Sequence, residues 1–200
     1  MKKKRKQGRK NQWTDHLTRQ AIKDRYPARS VYKLMEIQKK FKIMKKGDHV
    51  LDLGCAPGSW LMYAAESVGE NGSAAGIDLK DVIVGLPQNA AAFVGDIFKM
   101  GDHAWVRKHY NLVLSDMAPA TTGRKEADAA RSFELSLTAL EKANSLLVPD
   151  GNFVCKIFQG SDFKIFEEKV KTNFMQHKIF KPESCRKSSK EIYIIGTGKK

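Results

Sequence analysis

From His49 onward the chain alternates short apolar runs with longer amphipathic stretches. The runs "HVLDLG", "AAGIDL", "AAFVGD", "NLVLSD", "NFVCKIF" and "EIYIIGTG" are rich in β-branched and aliphatic residues and predict strands. Between them, "SWLMYAAESVG", "ADAARSFELSLTALEKANSLL" and "SDFKIFEEKVKTNF" repeat apolar residues at three- and four-residue intervals and predict helices. Strands and helices in this alternation build βαβ units around a parallel sheet, so the fold class is α/β. Near the C-terminus "HKIFKPESCRKSSKEIYIIG" predicts two strands joined by a basic turn, an antiparallel addition at one sheet edge.

Ahead of the first strand, Val31, Leu34, Met35, Ile37 and Phe41 recur with helical period, with Ser30 placed as an N-cap and Gly47 soon after the end. Lys33 falls at the border of that apolar arc, beside Ile37. Residues 1–27 carry few apolar groups and many charges, which predicts a basic flexible arm ending near Pro27 and one domain over residues 28–200.

Charge changes the picture. Lys and Arg number 36 against 22 Asp and Glu, a net +14, and the first ten residues hold seven of the basic ones. Lysines and arginines that neutralise phosphates release condensed counterions, so RNA is the expected partner. No apolar window is long enough to span a bilayer, and a soluble, cytoplasmic, monomeric protein is expected without a membrane or obligate protein partner. Cys55, Cys155 and Cys185 are odd in number and scattered, which indicates neither a disulfide framework nor a thiolate metal site. His16, His49, His103, His109 and His177 form no i,i+4 pair, so no metal is expected.

The stretch "VLDLGCAPGSW" carries the first chemical signal. A glycine turn at the end of a buried strand lets a ligand approach the backbone without a Cβ in the way. The turn closes with "PGSW" and offers no cation, unlike a triphosphate-binding loop, and its G-x-x-x-G spacing departs from the dinucleotide fingerprint. Asp78 ends the next strand and can accept both hydroxyls of an adenosine ribose; Asp96 ends the following one and can accept from an adenine amino group. Acids around an uncharged turn suit a ligand with ribose, adenine and a cationic tail, the makeup of S-adenosylmethionine.

Three further charges sit where charge is costly unless paired. Asp116 ends a strand in "VLSDMAPATTG", Lys156 interrupts the apolar strand "NFVCKIFQG", and Glu191 begins the last strand in "SSKEIYIIG". With "ARSVYKLMEIQ", "LDLGCAPGSW" and "KPESCRKSSKEIYIIGTG", these motifs resemble the FtsJ/RrmJ-like ribose 2'-O-methyltransferases, in particular their bacterial 23S ribosomal RNA uridine branch (RlmE), over residues 28–198.

The resemblance implies a Rossmann-like class I S-adenosylmethionine-dependent methyltransferase fold. Its sheet would be seven-stranded and mostly parallel, with one antiparallel edge strand and helices on both faces. It implies a catalytic tetrad of Lys33, Asp116, Lys156 and Glu191, with Lys156 as proton acceptor. It also implies cofactor contacts from Gly58, Trp60, Asp78, Asp96 and Asp116, with Gly54 and Pro57 shaping the loop. The implied substrate is a uridine ribose in 23S ribosomal RNA within the large ribosomal subunit, at the A-loop of the peptidyl transferase centre. Cys55 and Ser59 depart from the Ala and Gly usual in that turn.

A ribose hydroxyl is a very weak acid, so its attack on a sulfonium methyl benefits from a positioned base. Burial, a neighbouring Lys33 and a cationic sulfonium favour a neutral Lys156 amine, whereas Asp116 and Glu191 favour the ammonium. Lys156 therefore has a second possible role, orienting the hydroxyl by hydrogen bonding. Ribose methylation of transfer RNA and non-catalytic RNA binding in ribosome assembly are the alternatives. A base N-methyltransferase fits less well, because Ala120 occupies the position where such loops carry an aromatic.

Overall fold

The computed structural model describes residues 12–99 and 109–200, with side chains from residue 16 on. Residues 1–11, which include most of the lysine-rich start, and residues 100–108, with His103, lie outside the described residues.

The described residues form seven strands and five helices. The strands are β1 (His49–Leu53), β2 (Ser73–Asp78), β3 (Ala90–Val94), β4 (Tyr110–Ser115), β5 (Leu147–Phe158), β6 (Phe174–Phe180) and β7 (Glu191–Lys199). The helices are α1 (Gln12–Lys23), α2 (Val31–Phe41), α3 (Ser59–Val68), α4 (Lys125–Leu146) and α5 (Phe163–Asn173). One sheet results, in the order β3-β2-β1-β4-β5-β7-β6.

The first five strands run parallel, and β7 runs antiparallel to both neighbours. The antiparallel strand is thus one place in from the edge, not at it. Strand β6 takes the edge because the 181–190 connection folds β7 back between β5 and β6.

The central strands are apolar almost throughout because helices cover both sheet faces. Leu51, Val113, Phe153 and Ile194 pack with Leu140 of α4 and Phe166 of α5 on one face. Val50, Leu112, Val154 and Tyr193 pack with Ile37 of α2 and Leu61 of α3 on the other. Lys156, Phe158, Glu191 and Tyr193 occupy alternate positions of paired strands, so they share the α2/α3 face.

Two local expectations are corrected. Residues 12–23, expected as part of a flexible arm, form α1; Ala21 within it and Tyr26 after it pack against Val31, and the Tyr26 hydroxyl donates to Glu66 at 2.5 Å. Ser30 lies in the right-handed helical region and makes no side-chain cap bond, since capping needs an extended backbone at that position.

Candidate active site

The chain runs outward from β1 through β2 to β3 and then returns to place β4 on the other side of β1. That reversal opens a crevice beyond the carboxyl ends of β1 and β4. A cleft of about 500 Å³ occupies it, lined by residues that include Gly54, Asp78, Asp96, Asp116 and the segment Met117–Ala120.

The glycine turn forms the inner wall. Gly54 N–H and Cys55 N–H both donate to the Ile77 carbonyl, at 2.8 and 3.2 Å, which ties the turn to the end of β2. Gly54 has φ +80°, and a Cβ there would lie 2.4 Å from Met117 Cγ, so neither the conformation nor the space admits a side chain. Gly58, at φ +111°, precedes α3, and a Cβ on it would press on Val82 at 2.9 Å.

Asp78 accepts from Ala56 N–H at 3.0 Å and from Lys80 N–H at 2.9 Å, using one oxygen for each. Each oxygen keeps a second lone pair for a ligand hydroxyl. Asp96 accepts from Phe98 N–H at 3.0 Å, while Ile97 and Phe98 add apolar wall beside it.

Asp116 belongs both to the cleft and to the charged cluster behind it. Its Oδ1 lies 3.0 Å from Lys156 Nζ and accepts from the Tyr193 hydroxyl at 2.5 Å. The Lys156 amine also donates to the Asp116 main-chain carbonyl. Lys33 reaches in from α2, pairing with Glu191 at 2.9 Å and standing 5.9 Å from the centre of the Tyr193 ring. The four polar residues expected to act together therefore meet as two ion pairs bridged by Tyr193.

Burial pushes the Asp116 carboxyl upward, but the Lys156 and Lys33 charges and the Tyr193 bond hold it below the usual carboxylate range. Burial likewise opposes the Lys33 charge, and Asp116 and Glu191 outweigh it, raising the amine above its ordinary value. Burial and the same two acids push the Tyr193 phenol well up, so it stays a donor. Asp52 of β1 is buried, and among the described residues neither of its oxygens has a hydrogen-bond partner. Burial, then the Asp116 and Asp78 charges, raise its carboxyl well above the usual range. The thiols of Cys155 and Cys185 are pushed up to about 12 by burial, which removes them as nucleophiles.

Pro57 lies at the exposed corner of the turn, and the Trp60 indole lies off the cleft. It donates to the Ser30 carbonyl at 2.8 Å and its ring tilts against Tyr193 at 5.9 Å. Ser59 makes a second brace: its hydroxyl accepts from Ala28 N–H at 2.8 Å and donates to Ala28 O at 3.1 Å. The helix that follows the glycine turn thus grips the segment leading to Lys33. Tyr193 was not among the expected site residues, although its place two residues after Glu191 on one strand puts it on the same face.

The sequence and fold agree with known proteins. The model of the FtsJ-like methyltransferase family matches residues 26–199. A relative from Desulforapulum autotrophicum, named ribosomal RNA large subunit methyltransferase E, is 65% identical over 193 residues, 96% of this chain and 95% of its own length. A protein of the same name from Bdellovibrio bacteriovorus is 44% identical, covering 93% of this chain and 97% of itself. A crystal structure of a ribosomal RNA methyltransferase from Plasmodium falciparum superposes with a TM-score of 0.77 at 28% identity, covering 87% of this chain and 98% of the other. Fibrillarin from Aeropyrum pernix shares the fold at 16% identity, with a TM-score of 0.62 over 84% of this chain and 76% of its own. A family match along nearly the whole described sheet, and relatives this similar over their full length, identify the chain as a member of the FtsJ-like methyltransferase family.

Proposed function

We propose that this chain methylates the 2'-oxygen of a uridine ribose in 23S ribosomal RNA of the large ribosomal subunit, at the A-loop, using S-adenosylmethionine and working as a cytoplasmic monomer. The observation that carries the reading is the double role of Asp116, whose carboxylate lines the cofactor-sized cleft and holds the Lys156 amine at 3.0 Å. The names of the full-length relatives support ribosomal RNA as the substrate.

The cleft fits the cofactor. Asp78 suits the ribose hydroxyls and Asp96 the adenine amino group, while Asp116 suits a cationic ammonium. Gly54 and Pro57 shape the turn. Gly58 caps α3 and gives its N–H to the Cys55 carbonyl at 2.7 Å, so it shapes the approach, while the main chain of Trp60 lies in the helix's first turn, where leading N–H groups lack helical partners and suit a carboxylate. When bound, S-adenosylmethionine supplies a methyl group activated on a cationic sulfur.

Lys156 takes the proton of the ribose 2'-hydroxyl as that oxygen becomes the nucleophile. The ammonium so formed is received by Asp116, through its carboxylate and its carbonyl. Lys33 and Glu191 orient the ribose from the opposite side of Tyr193.

The test is transfer of a tritiated methyl group to isolated large subunits, followed by mapping of the labelled nucleotide. Label on a 2'-O-methyluridine of 23S RNA is expected. Label on transfer RNA or on a base nitrogen, or RNA binding without label, would overturn the reading.

A further inference from the structure

We propose that a hollow of about 150 Å³ at the C-terminal tip of β5, lined by Lys125, Asp128, Phe158, Ser189 and Lys190, binds the nucleobase next to the methylated nucleotide. The inference rests on the proposed action on an RNA ribose and adds where the strand runs after it leaves the site.

The hollow is tied to the tetrad along β5 and β7. Phe158 lies two residues beyond Lys156 on β5, about 6.6 Å along the strand, and its register partner is Glu191. A ribose held at Lys156 therefore leaves its neighbour within reach of the Phe158 ring. The ladder continues one step further, with Gln159 N–H donating to Lys190 O at 2.9 Å, which fixes Lys190 at the rim.

Its chemistry suits one nucleotide. Phe158 is half-buried and supplies an aromatic wall of the kind on which unstacked RNA bases rest. The Ser189 hydroxyl accepts from Glu191 N–H at 3.1 Å and keeps its own proton for a base carbonyl. Lys125 and Lys190 both line the hollow and are exposed, and none of the described ion pairs includes either.

Asp128, the one acid, is turned away from a ligand. Its carboxylate accepts from Thr122 N–H at 2.8 Å, Thr122 Oγ1 at 2.9 Å and Gly123 N–H at 3.1 Å. Those bonds anchor the far end of the loop whose near end, Met117–Ala120, walls the cofactor cleft. The cleft takes Met117–Ala120 from one end of that loop and the hollow takes Asp128, its anchor, from the other, and the hollow's rim is left net basic, as a phosphate-bearing ligand requires.

The test measures affinity for a short fluorescent single-stranded RNA across a salt series, with calorimetric S-adenosylmethionine affinity as a control of the fold. Phe158→Leu keeps an apolar filling but removes the ring, and should weaken RNA binding about tenfold. Phe158→Tyr should bind as the parent does. Lys125→Ala with Lys190→Ala should lower the slope of log affinity against log salt by about 1.4, as expected for two lost phosphate contacts to a single strand. Cofactor affinity should hold in all three. Unchanged RNA affinity in Phe158→Leu together with an unchanged salt slope in the double lysine variant would overturn the hollow as a base site. If Phe158→Leu loses cofactor binding as well, the lysine pair, exposed and outside the core, decides alone. A parent protein that binds this RNA through the hollow yet labels no ribosomal RNA would leave the hollow standing and sink the proposed reaction.

Discussion

Lys156 and Asp116 are joined twice, the amine lying 3.0 Å from the carboxylate and donating also to the main-chain carbonyl of the same residue. The strand register brings this about. Ser115 of β4 pairs with Cys155 of β5, so the next residue on each strand emerges side by side at the carboxyl end of the sheet. A lysine in an apolar strand is tolerable there because its charge has a partner within reach.

That geometry separates a base from a mere positive charge. Lys156→Arg keeps the charge and the fork of donors to Asp116 but cannot accept a proton near neutral pH. Both Lys156→Arg and Lys156→Ala should lose about 100-fold or more in single-turnover methyl transfer, the lower end of what a positioned base contributes. An arginine variant that retains most of the rate would replace the proton-acceptor role by an orienting one.

Tyr193 links the two ion pairs, and removing its hydroxyl should be felt at Asp116. Tyr193→Phe deletes a bond to a charged group, which costs about 1.5–3 kcal/mol, read as a lower urea midpoint at unchanged slope. Asp116 is held below the usual carboxylate range in the folded state, so its stabilisation is present above the unfolded value near ~3.9 and is lost as pH falls through the folded value. Without the Tyr193 bond the folded value rises toward the unfolded one, so Tyr193→Phe has less of this stabilisation to lose, and its deficit against the parent should shrink as pH falls below about 4. A deficit in urea midpoint that stays constant down the acid limb would show that the phenol does not act on Asp116.

Most of this architecture was legible in the chain because strands covered on both faces are written as near-continuous apolar runs. The charges that interrupt those runs, Asp116, Lys156 and Glu191, stood out for the same reason. Helix α1 was not legible because its short apolar spacing, Trp13, Leu17 and Ala21, is set among the charges that dominate the composition of residues 1–27. The inner place of β7 depends on how the 181–190 connection folds back, which periodicity does not encode. Tyr193 was hidden because an aromatic in a strand is ordinary core until the register sets it opposite Lys156.

Ser59 has a structural use. Its hydroxyl satisfies both the N–H and the carbonyl of Ala28, while being 1% exposed. Ser59→Ala leaves both groups unpaired in a part-buried site and should cost about 1–3 kcal/mol of stability. Because the braced segment leads into α2, the same variant should slow methyl transfer in the parent background and have no further effect on the rate in Lys33→Ala. Fully additive rate losses in the double-mutant cycle would show that Ser59 does not act through Lys33.

Asp52 sets a stability cost at neutral pH that can be removed. Its carboxyl is buried without hydrogen-bond partners among the described residues, and its folded value is raised well above the unfolded one by burial and by Asp116 and Asp78. A raised value contributes stability that is fully present below the unfolded value near ~3.9 and is lost as pH rises through the folded one. Asp52→Asn keeps the shape of the protonated carboxyl and has no proton to lose. The asparagine variant should therefore match the parent most nearly at acid pH and gain on it steadily as pH is raised toward 8, measured as the difference in urea midpoint. A difference that stays constant from pH 5 to pH 8 would mean that Asp52 does not titrate differently in the folded and unfolded chains.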